Sequence, residues 1–185
     1  MIIIHGLPGS GKTTLAWRLV QDVGLRLIGQ DAVKEAIADQ LGRPVSAAQS
    51  SIIGRATRRA VLELGAEFAA LGEQLIVEAA LKTDEAEALL ADLSTQPILQ
   101  LYVACDMAEL KRRFVARKGS MERHWVHADD MFEKMSEAEI TRLYRPLQSA
   151  QVQTLPLTSP LDDTVYNQTI NTVKQFIATT QKEEI

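Results

Sequence analysis

"MIIIHGLPGSGKTTLAWRLVQDV", residues 1–23, decides the fold. A short β-branched run leads into a turn with three glycines, and the turn leads into a helical pattern. Gly6, Gly11, Lys12 and Thr13 fit the spacing of a phosphate-binding loop, G-x-x-x-x-G-K-[ST]. The residue types follow from the chemistry. Consecutive backbone N–H groups must turn inward around a phosphate chain, and side chains at Gly6, Gly9 and Gly11 would obstruct that turn. A helix starting near Gly11 points the positive end of its dipole at the same anion. Lys12 can then reach the β- and γ-phosphates, the Thr13 hydroxyl can ligate Mg²⁺, and Ser10 and Thr14 complete the loop. Both flanks agree: residues 1–5 suit a buried parallel strand. Leu15, Leu19 and Val23 fall on one helical face.

Alternating elements follow. Strands are expected at 25–29, around 75–77, at 97–105 and at 152–155. Helices are expected from Asp31 to Gly42, over 46–71, after Thr83, after a box-like Asp106–Glu109 cap, and after a Ser136–Glu139 capping box. A last helix should start near Pro160, with Tyr166, Ile170, Val173 and Ile177 on one face. Strand alternating with helix predicts an α/β three-layer sandwich around a five-stranded parallel sheet. Ligands in such sheets collect at the carboxyl ends of the strands, which selects the glycine-rich loop, Asp31, Glu78 and Asp106.

The chain has 185 residues, 46% of them apolar and a net charge of −4. One domain over 1–185 is expected. The net charge argues against a general nucleic-acid binder. Positive charge is concentrated at 109–123, "ELKRRFVARKGSMER", with six basic and two acidic residues, a pattern suited to a small anion. Cys105 is the only cysteine, which excludes a disulfide framework and a cysteine zinc site. No apolar run reaches the length that spans a bilayer. With the glycines beginning at Gly6, no signal peptide is expected, and the expected compartment is the cytoplasm.

With these motifs in order, the chain resembles the small P-loop kinases, most closely the polynucleotide-kinase and zeta-toxin branch, beside chloramphenicol phosphotransferase and gluconate kinase. The resemblance rests on "GLPGSGKTT", "GQDAVKEAI", "LIVEAAL" and "LKRRFVARK". It implies the P-loop NTPase fold with a short helical lid over about 113–130. ATP and Mg²⁺ are the implied cofactors. Asp31 is implied as the base that takes the proton from the accepting hydroxyl, and the same residue could cap the following helix, instead of that role or together with it. Glu78 corresponds to the carboxylate that holds Mg²⁺ through water or meets substrate. Here Ala79 and Ala80 follow it where many members carry polar residues, which leaves a nucleotide binder without turnover as a third reading. Arg113 and Arg117 match the lid pattern L-x-x-R-x-x-x-R, the first stacking on adenine and the second meeting the transferring phosphates. Lys34, Arg123 and His124 are candidate contacts to an acceptor. His127 joins them as an anion reader, or pairs with His124 as part of a zinc site. His5, ending the first strand, suits a satisfied core position.

These features point to an ATP- and Mg²⁺-dependent phosphotransferase acting on a hydroxyl or phosphate of a small molecule or a nucleic-acid end. Nucleic acid enters only as a 5′-end substrate and no membrane is involved. The alternative is a P-loop ATPase or nucleotide-driven switch without an acceptor. No Asn-Lys-x-Asp sequence is present, which disfavours a GTPase switch. Acceptor identity and oligomeric state are left open by the residues.

Overall fold

A computed structural model describes residues 1–43, 47–93, 96–117, 124–127 and 131–180. Among the described residues, five strands and eight helices follow in this order: β1 (Ile2–Gly6), α1 (Lys12–Val23), β2 (Arg26–Gly29), α2 (Gln30–Leu41), α3 (Ala47–Ala70), β3 (Leu75–Ala79), α4 (Thr83–Leu93), β4 (Ile98–Cys105), α5 (Met107–Arg117), α6 (Met131–Lys134), α7 (Glu137–Leu143), β5 (Val152–Ser159) and α8 (Asp163–Thr180). The strands form one parallel sheet in the order β2-β3-β1-β4-β5. Strand β1 is therefore central, and the chain reverses its direction of travel across the sheet around it, which places a crevice at its carboxyl end.

Side-chain alternation along β1 sorts the core into two layers. Ile2 and Ile4 pack with Leu15, Leu19, Tyr166 and Val173 of α1 and α8. Met1 and Ile3 pack on the opposite face with Val61 and Leu62 of α3 and with Leu90 of α4. This is the three-layer P-loop sandwich. A third cluster, Leu7, Leu110 and Ile140, ties the loop after β1 to α5 and α7.

The boundaries differ from the sequence expectations in three places. β5 continues beyond Leu155 to Ser159 through Pro156. The strand lies at the sheet edge, where a proline lacking its N–H breaks no ladder. Asp31 does not cap α2, because the extended residue before that helix is Gly29 and Asp31 lies in the first turn. Glu109 does not reach back to close a box: the Asp106 carboxylate accepts from the N–H groups of Ala108 and Glu109, while the Glu109 carboxylate holds Arg112 and Arg113. The Ser136–Glu139 capping box forms in full.

Candidate functional site

The loop between β1 and α1 owes its shape to its glycines. Gly6 has φ 149° and sits beside β4, where a Cβ would run into the carbonyl oxygen of Val103. Gly9 has φ 85°, and a Cβ there would lie 2.5 Å from Arg117 Nη2 and 3.1 Å from Phe114 Cε2. Its missing side chain thus makes room for an arginine of α5, a reason the motif alone does not supply. Ser10 Oγ is fully buried and makes no hydrogen bond among the described residues. Lys12 is buried, and its ammonium donates to Leu7 O at 2.9 Å. Burial pushes the Lys12 pKa down, and the carboxylates of Glu78 and Asp31 push it back up. An ammonium with three donors and an orphaned hydroxyl in the glycine-rich turn before α1 fit a phosphate chain.

Glu78 stands on β3 beside β1, in register with Ile4. Its side chain is buried, which raises its pKa, while the Lys12 charge and a hydrogen bond from Thr13 work in the opposite direction. A threonine hydroxyl against a buried carboxylate next to the loop is the oxygen donor set that suits Mg²⁺, a cation that keeps several waters and takes few protein ligands. Among the described residues no group of three or more His, Cys, Asp or Glu could hold a metal ion, so the histidine pair does not form a zinc site there.

One cavity of about 560 Å³ gathers these groups. Gly9, Gly11, Lys12, Thr13 and Thr14 line it from the loop, Asp31 and Lys34 from α2, Glu78 from β3, and Arg113 and Arg117 from α5. Arg113 Nη1 donates to Gly9 O at 3.1 Å and to Ser159 Oγ at 3.2 Å, so its guanidinium clamps the loop to the end of β5. Arg117 lies over Phe114, 5.4 Å from the ring centroid. His124 is placed elsewhere: its Nε2 meets Asp39 Oδ1 at 3.0 Å, and it does not line the cavity. Arg123 lies outside the described residues, as do 118–122 and 128–130 of the expected lid.

Sequence reasoning passed over Arg58, Tyr144 and Gln30, which also line the cavity. Arg58 comes from the middle of α3, its side chain only 13% exposed, with Nη2 donating to Glu85 and Nε buried without a partner among the described residues. The cluster "RATRR" carried a weak signal, since three arginines in five residues usually mark a solvated face. His5 is a satisfied core histidine: Nδ1 accepts from Leu81 N–H at 3.3 Å and Nε2 donates to Arg145 O at 3.0 Å. Burial lowers its pKa to about 4.

Three comparisons bear on this arrangement. Residues 1–138 match the family model AAA_33, an AAA domain. A cytidylate kinase of Ignicoccus hospitalis is 38% identical over 42 residues, a stretch covering 23% of this chain and 24% of that protein. The crystal structure of a candidate kinase from Chloroflexus aurantiacus superposes with a TM-score of 0.75 at 22% identity, covering 97% of this chain and 96% of the other. Kti12 of Chaetomium thermophilum, crystallised with ADP-AlF3, superposes with a TM-score of 0.57 at 18% identity over 95% and 98% of the two chains. At such identities the two structures speak for the fold.

Proposed function

The chain belongs to the AAA_33 family of AAA domains, and from that premise we propose that it is an ATP- and Mg²⁺-dependent phosphotransferase that moves the γ-phosphate to a hydroxyl or phosphate of an acceptor. The observation that carries this reading is Asp31: a carboxylate lining the same cavity as Lys12, Thr13, Arg113 and Arg117. A carboxylate at that place can take the proton of an acceptor hydroxyl as it attacks the γ-phosphate.

In this reading Lys12 and the loop N–H groups bind the β- and γ-phosphates, and Ser10 Oγ gains the partner it lacks. Arg117 faces the charge that spreads over the transferring group, where a preorganised guanidinium is most effective. Mg²⁺ held by Thr13 and, through water, by Glu78 would neutralise phosphate charge during transfer. Asp31 accepts the acceptor's proton, while Lys34 and Arg58 offer positive charge to an acceptor's anionic part. The chain works as one domain over 1–185, with the segment from Arg113 closing over the phosphates.

The test is a γ-phosphate transfer screen over metabolites, nucleosides, antibiotics and 5′-hydroxyl oligonucleotides, followed by Asp31→Asn. The variant should keep ATP affinity and lose transfer on the order of 10²–10⁴-fold. Transfer at the wild-type rate would remove Asp31 from the chemistry. A screen in which nothing is phosphorylated, with ATP changing the binding of a protein partner, would install the switch reading instead.

A further inference from the structure

α2 carries three carboxylates one turn apart, Asp31, Glu35 and Asp39, along a single face. Residues 124–127 lie against that face through two imidazoles. His124 Nε2 meets Asp39 Oδ1 at 3.0 Å, and His127 Nε2 meets Glu35 Oε1 at 2.7 Å. The segment is also tied internally, because Val126 N–H donates to His124 Nδ1 and His127 N–H donates to His124 O. The His127 side chain is only 6% exposed, against 39% for Glu35 and 54% for Asp31. Its other ring nitrogen, Nδ1, stands 3.8 Å from Asp31 Oδ1.

Glu35 engages one edge of the His127 ring, and Asp31 stands near the other. This geometry selects a tautomer. A nitrogen 2.7 Å from a carboxylate oxygen must carry the proton between them, so Nε2 is N–H and, in the neutral ring, Nδ1 is a bare acceptor facing Asp31. The 3.8 Å gap is too long for a hydrogen bond, and it closes with a movement of under about 1 Å once Asp31 carries a proton to donate.

We propose that His127, oriented by Glu35, is a positioning residue that relieves Asp31 of the proton taken from the acceptor; this rests on the phosphotransferase reading. As the acceptor oxygen bonds to the γ-phosphorus, the bond from that phosphorus to the ADP oxygen breaks and the acceptor O–H proton passes to Asp31. Asp31 then donates it to His127 Nδ1. The imidazolium is held by Glu35 and releases the proton to water when product leaves, which restores both groups.

His127→Gln keeps an amide that can reach Glu35 and leaves nothing protonatable at Nδ1. Turnover of Mg·ATP is measured with water and with any acceptor found in the screen, for wild type, His127→Gln, Asp31→Asn and the double variant. The relay predicts a fall in kcat on the order of 10²-fold for His127→Gln with KM for ATP unchanged. It also predicts that the double variant is no slower than Asp31→Asn alone, because the two act as a unit. Wild-type kcat in His127→Gln, or losses that multiply in the double variant, overturn the relay and leave His127 as a docking residue. Wild-type protein that transfers phosphate to nothing removes the phosphotransferase reading, and the relay with it. Independently of any variant, ¹⁵N spectra of the wild-type imidazole should show Nε2 protonated and Nδ1 bare; the opposite neutral tautomer overturns the proposal.

Discussion

Acidification should loosen the fold beneath the loop, through His5. The ring is fully buried, with Nδ1 accepting from Leu81 N–H and Nε2 donating to Arg145 O, so both nitrogens are engaged only in the neutral form. Burial holds its pKa at about 4 against 6.5 in the unfolded chain, with Lys12 pressing the same way. The unfolded state therefore binds the proton first, and stability falls as pH drops through the window between these two values. Linkage gives a loss of about 2 kcal/mol between about pH 7.5 and pH 5, saturating near 3 kcal/mol below about pH 4. Glu78 acts in the opposite sense, because its raised pKa makes acid relieve a buried charge. The wild-type slope thus mixes both groups, and His5→Gln separates them. That variant retains a donor towards Arg145 but strands the Leu81 N–H, costing about 1–2 kcal/mol near neutrality. Urea unfolding of both proteins at the two pH values should show the gap between them closing at pH 5. Parallel losses of stability would refute the assignment of the acid sensitivity to His5.

Two further substitutions probe the loop. Gly6→Ala should cost about 3 kcal/mol or more in urea unfolding, since a Cβ meets the Val103 carbonyl and the backbone has φ 149°; a loss under about 1 kcal/mol would contradict the packing described. Lys12→Ala should weaken Mg·ATP binding about 10- to 100-fold by calorimetry, the equivalent of one charge-assisted contact of about 1.5–3 kcal/mol, and unchanged affinity would dismiss the loop as the nucleotide site.

The parts of this molecule that were legible in the sequence are those whose cause is local. The strand, glycine turn and helix of residues 1–23 carry their own geometry, and the caps at Asp106 and Ser136 act within one turn. β5 runs on through Pro156 because it lies at the sheet edge, which is a property of the sheet and not of the local sequence. Arg58 and Tyr144 reach the cavity from α3 and from the residue after α7. Their positions follow from how helices pack over the sheet, and no spacing in the chain announces them. The histidines were visible as a pair, but their partners were not. That Asp31, Glu35 and Asp39 share a helix face can be counted from the sequence, whereas their meeting with residues 124–127 is tertiary.

The placement of β1 has a consequence for how the molecule forms. Its neighbours are β3 and β4, with Ile4 in register with Glu78 on one side and Leu101 on the other. Both partners are made seventy or more residues later than the strand they flank. During synthesis the glycine loop must therefore exist for some time as an unsupported chain, with Ile2, Ile3 and Ile4 exposed. Loop closure over such separations is slow, and an apolar strand left waiting is open to mispairing. Nucleotide can stabilise the loop only after both later strands have docked, so ligand should slow unfolding far more than it speeds folding.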